Sequence, residues 1–197
     1  MLLATRCPVC DVAGPAPCAG CVAAMRRAPL LPPPPGVDRC LALLAYAGAG
    51  RELVARLKYR NARAGVRWLA GAMAALVDEP VDLVTWVPTT PARRRQRGFD
   101  QAELVARRIA AHLRVPCRSV LRRGPGPTQT GAGAAARRAA TPSLGARRAV
   151  AGTVVLVDDV VTTGATLSAA ARCVRDAGAR RVVALVAART PPPGDLH

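Results

Sequence analysis

The stretch TVVLVDDVVTTGATLSAA, Thr153 to Ala170, decides the fold. An apolar run rich in β-branched residues stops at two adjacent carboxylates, Asp158 and Asp159, and gives way to a small polar turn and then to a helical pattern. Leu167, Ala170, Ala171, Val174 and Ala177 fall on one face of a helix expected from Thr166 to Ala177, and Gly178 is placed to end it. A strand that hands its carboxyl end to a helix start forms the ligand-binding corner of an open parallel sheet, because backbone N–H groups converge there. Gly164 can take the positive φ such a turn needs, and Thr162, Thr163 and Thr166 add hydroxyls beside the free amides, which makes a cup for phosphate. A single capping Asp gains only about 0.3–1 kcal/mol from the helix dipole. Two adjacent acids at a buried strand end cost more than that unless hydroxyls or a cation meet them. A phosphorylated sugar answers both needs, with its phosphate in the turn and its ring hydroxyls on the acids.

Outward from this point the chain alternates. CLALLAY (Cys40–Tyr46) reads as a strand, GRELVARLKYR (Gly50–Arg60) and GVRWLAGAMAALVDE (Gly65–Glu79) as helices, and VDLVTWVP (Val81–Pro88) as a strand. A helix from Asp100 to Leu113, a strand near VPCRSVL (Val115–Leu121), the strand GTVVLVDD (Gly152–Asp159) and the strand RRVVALVAA (Arg180–Ala188) complete the pattern. Apolar strands alternating with amphipathic helices predict an α/β fold, a parallel sheet flanked by helices. The segment from Arg122 to Arg148 has no such pattern and reads as a long loop whose glycines and paired arginines suit a cover over an anionic ligand.

A second anion-binding corner is expected in WVPTTPARRRQRGFDQAEL, Trp86 to Leu104. Asp100 can cap the following helix, with Glu103 in the answering position of a capping box. Before it lie Thr89, Thr90 and the arginines Arg93, Arg94, Arg95 and Arg97, whose forked guanidinium groups match pyrophosphate oxygens.

The N-terminus has a different chemistry. Cys7, Cys10, Cys18 and Cys21 form two C-x2-C knuckles seven residues apart, suited to a tetrahedral zinc site with sulfurs about 2.3 Å from the metal. A module this small cannot hold a core of its own, whereas zinc binding in comparable peptides supplies about 10–16 kcal/mol. Four thiolates leave no open coordination position, so the zinc is structural. PLLPPPPG, Pro29 to Gly36, favours an extended spacer. The expected organisation is a zinc knuckle over 1–30, a proline-rich linker over 31–37, the α/β domain over 38–191 and a tail over 192–197. Cys40, Cys117 and Cys173 sit among apolar neighbours and read as buried fillers. Neither His112 nor His197 is assigned a catalytic role.

The chain carries 29 Lys and Arg against 12 Asp and Glu, a net charge of +17, which suits polyphosphate ligands, nucleic acid or acidic surfaces equally. Only one lysine, Lys58, is present among abundant Ala, Arg, Pro and Gly, so compositional bias also accounts for part of the arginine excess. No apolar run approaches the ~18 residues of a membrane span and the first residues lack the features of a signal peptide, so a cytoplasmic location is expected.

VVLVDDVVTTGAT resembles the 5-phosphoribosyl 1-pyrophosphate (PRPP) motif of type I phosphoribosyltransferases. That resemblance implies that Asp158 and Asp159 hold the ribose hydroxyls and that Thr162, Thr163, Gly164, Ala165 and Thr166 hold the 5-phosphate. With the four-cysteine knuckle, RLKY (Arg56–Tyr59), VPTTPARRRQRGFDQ (Val87–Gln101) and the loop from Gln129 to Arg137, the chain resembles the ComF family, phosphoribosyltransferase-like proteins associated in some bacteria with competence and DNA uptake. The resemblance implies a pyrophosphate loop at Thr89, Thr90, Arg93 and Arg97, a flexible hood carrying Gln129 and Arg137, and Mg2+ bound with PRPP. Two departures stand out: Asp100 replaces the family's usual Asn, and Ala140 or a neighbour stands where the hood motif carries Asn. Two functions are compatible with the resemblance, transfer of phosphoribosyl to an acceptor with release of pyrophosphate, or binding to single-stranded DNA or uptake machinery without catalysis. The acceptor and the oligomeric state are not specified by the sequence.

Overall fold

A computed structural model describes residues 5–59, 63–124 and 143–192. In chain order its elements are α1 (Ala19–Ala23), β1 (Arg39–Ala45), α2 (Gly48–Tyr59), α3 (Arg63–Ala74), β2 (Leu83–Trp86), α4 (Pro91–Arg97), α5 (Gln101–Leu113), β3 (Leu121–Arg123), β4 (Leu144–Ala146), β5 (Thr153–Val161), α6 (Ala165–Asp176) and β6 (Arg181–Arg189). Four strands make a parallel sheet in the order β1-β6-β5-β2, and β3 pairs antiparallel with β4 in a separate ribbon. None of these helices is long and apolar enough to cross a membrane.

The sheet is covered on both faces, which is why its central strands are apolar almost throughout rather than alternating. Val155, Val157, Val183 and Leu185 point into one core with α2, α3 and α5. Val154, Leu156, Val182 and Ala184 point into the other, with Leu167, Ala170, Ala171 and Val174 of α6. The chain leaving β2 therefore reaches α5 on one face, and the chain leaving β5 reaches α6 on the opposite face. Divergence of two neighbouring connections opens a crevice at the carboxyl edge of the sheet, the usual ligand position in such folds.

Several local expectations are corrected. β5 does not stop at the paired acids but continues to Val161, because β6 supplies ladder partners as far as Val161↔Arg189. Of the expected strand Val115–Leu121 only Leu121 is in a strand, β3; the rest touches β2 through one parallel bridge, Val84↔Cys117, flanked by Val84 N–H to Pro116 O at 2.9 Å and Arg118 N–H to Val84 O at 3.0 Å. The two ends of the expected loop from Arg122 to Arg148 pair with each other as β3 and β4. Cys40, Cys117 and Cys173 are only half-buried. The Cys173 thiol donates to Leu144 O at 3.3 Å and so helps seat that ribbon on α6.

The N-terminal segment lies against the sheet domain. Ala28 N–H donates to Leu43 O at 3.3 Å and Ala45 N–H to Arg26 O at 2.9 Å, which covers the edge of β1 with a single antiparallel bridge. Val9 and Met25 pack against the core on the α2, α3 and α5 face, and Pro8 lies so close to Gly65 that a β-carbon there would come within 3.0 Å of its ring.

Candidate functional site

The Val155–Val157 run ends in Asp158 and Asp159, both half-buried, on successive positions of β5 and hence on opposite faces of the strand. Asp158 is oriented by its own chain, since Asp159 N–H donates to Asp158 Oδ1 at 2.8 Å. Beyond Val161 the backbone turns at Thr162 and Thr163, and Gly164 adopts φ 78°, a left-handed conformation that a side chain would resist. Thr163 Oγ1 accepts from Ala165 N–H at 3.4 Å, an internal brace at the start of α6. Residues Thr162 to Leu167 together with Asp158, Val160 and Val161 enclose a small cavity of about 30 Å³.

On the neighbouring connection, α4 occupies the stretch expected as an arginine-bearing turn. Thr90 caps it by accepting from Arg93 N–H at 3.3 Å, Pro91 opens it, and Gly98 at φ 78° closes it. Asp100 then caps α5, its Oδ1 accepting from Ala102 N–H at 3.1 Å and Glu103 N–H at 3.4 Å. The Glu103 carboxylate faces Arg107, which donates to it at 2.9 Å and 3.1 Å, with Arg94 at 3.6 Å. The other Asp100 oxygen, Oδ2, accepts from Thr89 N–H at 2.8 Å and so fastens the loop to the helix. Burial drives the Asp100 pKa up from its ordinary value, with the N–H bonds of Thr89, Glu103 and Ala102 opposing.

These two connections share a polar cleft of about 210 Å³. Thr89, Arg93, Arg97 and Asp100 line one side of it, and Asp158, Asp159, Val160 and Thr166 the other. Asp158, Val160 and Thr166 border both cavities, so the acids, the turn and the arginine loop form one continuous groove. Thr90 lies beside it with its hydroxyl committed to the α4 cap. Gln129 and Arg137 lie outside the described residues. His112, on α5, packs beside Gly71 of α3, where a β-carbon would sit 3.6 Å from its Nε2.

Arg123 and Gln101 also line the groove, though the sequence pattern singles out neither as a site residue. Arg123, the last residue of β3, reaches into the cleft and donates from Nε to Pro88 O at 2.7 Å. Burial lowers its pKa from the ordinary value, and the nearby Asp158 charge works the other way. Gln101 accepts from Arg97 at 3.0 Å and donates to Leu57 O at 3.5 Å, linking the arginine to the core side of the cleft. The sequence signal for Arg123 was weak, because three-residue strands carry no periodicity; its position follows only from the β3–β4 pairing.

At the other end of the chain the four sulfurs of Cys7, Cys10, Cys18 and Cys21 lie within 4.8 Å of one another. Cys10 and Cys18 approach to 3.7 Å, and Cys18 N–H donates to Cys7 Sγ at 3.4 Å. Burial pushes the Cys7 thiol up, but N–H groups of Cys10, Cys18 and Val9 outweigh it and hold the pKa at about 6. Burial and the crowding of the other three sulfurs push Cys21 up to about 12. Four thiols at this spacing cannot all ionise without a cation, and four soft donors on two knuckles fit a tetrahedral zinc ion. The cluster can therefore bind zinc.

The strand-to-helix turn after β5, the paired acids Asp158 and Asp159 and the arginine-bearing α4 thus lie along the carboxyl edge of the sheet. Residues 96–193, just under half of the chain, match the family described as Phosphoribosyl transferase domain, and the chain thus contains a phosphoribosyltransferase-type domain. No curated protein matches the chain. Solved structures that resemble it include the allosteric regulatory enzyme of purine biosynthesis, at 25% identity and a TM-score of 0.43 over 62% of this chain and 26% of that one. Another is the glutamine phosphoribosylpyrophosphate amidotransferase from B. subtilis complexed with ADP and GMP, at 25% identity and a TM-score of 0.44 over 61% of this chain and 25% of that one. The chain thus spans about a quarter of the length of these structures.

Proposed function

We propose that the groove between the β2 and β5 connections binds PRPP. The observation that carries this reading is the meeting of Asp158, Asp159 and Thr166 with Arg93 and Arg97 around one cleft. The amides and hydroxyls of Thr162 to Thr166 receive the 5-phosphate, the carboxylates of Asp158 and Asp159 accept from the ribose hydroxyls, and Thr89, Arg93 and Arg97 receive the pyrophosphate. Thr90 contributes by shaping α4. Mg2+ bound with PRPP would supply charge neutralisation on the pyrophosphate, with Asp158 and Asp159 as the carboxylates on the ribose side of it.

In the transfer, the bond from C1 of the ribose to the pyrophosphate oxygen breaks, the electron pair leaves with pyrophosphate, and the acceptor's lone pair forms the new bond to C1. Positive charge grows on the sugar, so the Asp158 and Asp159 carboxylates stabilise the ribose side while the guanidinium groups stabilise the leaving group. Release of pyrophosphate, screened across nucleobases and amines, tests the transfer. A signal with wild type that vanishes in Arg93→Met with Arg97→Met supports it, and no release with any acceptor leaves a PRPP-binding protein that does not transfer.

The finer identity we infer is a ComF-type protein of the cytoplasm. It is supported by the order of knuckle, RLKY, VPTTPARRRQRGFDQ and PRPP motif, and by thiolates that require a reducing compartment. Binding to single-stranded DNA or to uptake machinery is the second reading, supported by the net charge of +17; the aromatic content of 3% leaves mainly backbone contacts for it. A steep salt dependence of DNA binding without PRPP affinity favours that second reading over the first.

A further inference from the structure

The proline segment before β1 runs directly beside the phosphate turn. Pro34 is buried, and a β-carbon built on Gly164 would come 2.7 Å from Pro34 Cγ and 2.8 Å from its Cβ, too close for both to remain in place. The pyrrolidine ring therefore bears on the residue at which the turn becomes α6. Pro34 is not among the residues bordering the small cavity formed by that turn, so its contact with Gly164 adds no group to that cavity's lining.

The segment is fastened on both sides of this contact. Arg189, the last residue of β6, is only 6% exposed, and its guanidinium donates to Leu31 O at 3.0 Å and Pro32 O at 2.7 Å. After Pro34 the chain turns, with Val37 N–H to Pro34 O at 3.1 Å, and Arg175 of α6 donates to Gly36 O at 2.9 Å. Burying a guanidinium is costly unless its donors are satisfied, so Arg189 strongly favours the one path of the segment that offers it both carbonyls. Prolines keep that path stiff, and Pro34, having no N–H, adds no competing donor beside the turn.

We infer that residues 31–36 form a strap that holds the 162–166 turn in its anion-binding conformation, with Arg189 as the positioning residue that anchors the strap. This rests on the reading of the turn as the 5-phosphate site. Pre-organised amides bind an anion without first being ordered, so loosening the strap weakens binding without removing any group that touches the ligand.

The test compares wild type with Pro34→Gly and Arg189→Met by amide hydrogen exchange, thermal melting and PRPP affinity in the presence of Mg2+. The expected result is exchange about tenfold faster at residues 162–168, unchanged exchange in α5, and PRPP binding weakened about tenfold. Wild-type exchange at the turn in both variants, or faster exchange with unchanged PRPP affinity, overturns the strap. If Arg189→Met fails to fold, Pro34→Gly carries the comparison alone. Wild type that does not bind PRPP at all overturns the phosphate reading itself, a result distinct from variants that bind as well as wild type.

Discussion

Asp100 joins two parts of the groove through one carboxylate: Oδ2 accepts from Thr89 N–H at 2.8 Å on the arginine loop, while Oδ1 accepts from Ala102 N–H at 3.1 Å at the start of α5. Asp100→Ala removes both, at about 0.5–2 kcal/mol for the cap and about 1 kcal/mol for the partly buried Thr89 N–H left to water. Asp100→Asn keeps one acceptor oxygen and is expected to cost less. Urea unfolding of the two variants checks the order, and equal losses would show that Thr89 is not held by this group.

Arg123 is expected to matter for ligand rather than for fold. It lines the cleft and its Nε is bonded to Pro88 O, so Arg123→Met should bind PRPP at least about tenfold more weakly, the size expected for one charge-assisted hydrogen bond. The melting temperature should fall little. Arg123→Lys should not restore binding, because an ammonium cannot hold Pro88 O and a ligand oxygen in the same fork geometry.

The cysteine cluster predicts one zinc per chain. Metal analysis and the visible absorption of the Co2+-substituted protein should show a four-thiolate site, lost in Cys7→Ser and in Cys18→Ser. Because Val9 and Met25 contribute to the domain core, chelation should also lower the melting temperature of the whole chain.

Stability should fall on the acid side through Glu79. Its bond to Arg181, at 2.6 Å, and then its contact with Arg39 hold its pKa below the ordinary 4.5. A depressed folded-state value means the contribution is full above pH 4.5 and is lost as pH falls through the depressed value. Glu79→Gln should flatten that part of the stability profile while leaving neutral-pH stability within about 1 kcal/mol, since the pair is partly exposed. An unchanged acid limb would contradict the assignment.

The sequence made the central corner of the fold legible because its signals are local. The apolar run, Gly164 and the face containing Leu167, Ala170, Ala171 and Val174 lie within two dozen residues of one another, and each is decided by its own neighbours. α4 was missed because PARRRQR has no apolar face; its helix is set by Thr90, Pro91 and Gly98, signals that capping rules could have supplied. The extension of β5 past the acids depends on pairing with β6, and charge along the chain says nothing about pairing. The contact of Pro34 with Gly164, the bonds from Arg189 to the strap and the arrival of Arg123 in the cleft all join residues distant in sequence, and no periodicity encodes them.

The most direct test of the PRPP site is titration calorimetry with PRPP and Mg2+ on wild type and on the double variant Asp158→Asn with Asp159→Asn. The account predicts saturable, Mg2+-dependent binding at one site per chain, and its loss in the double variant with the fold intact. Binding by the double variant as tight as that of wild type would contradict it.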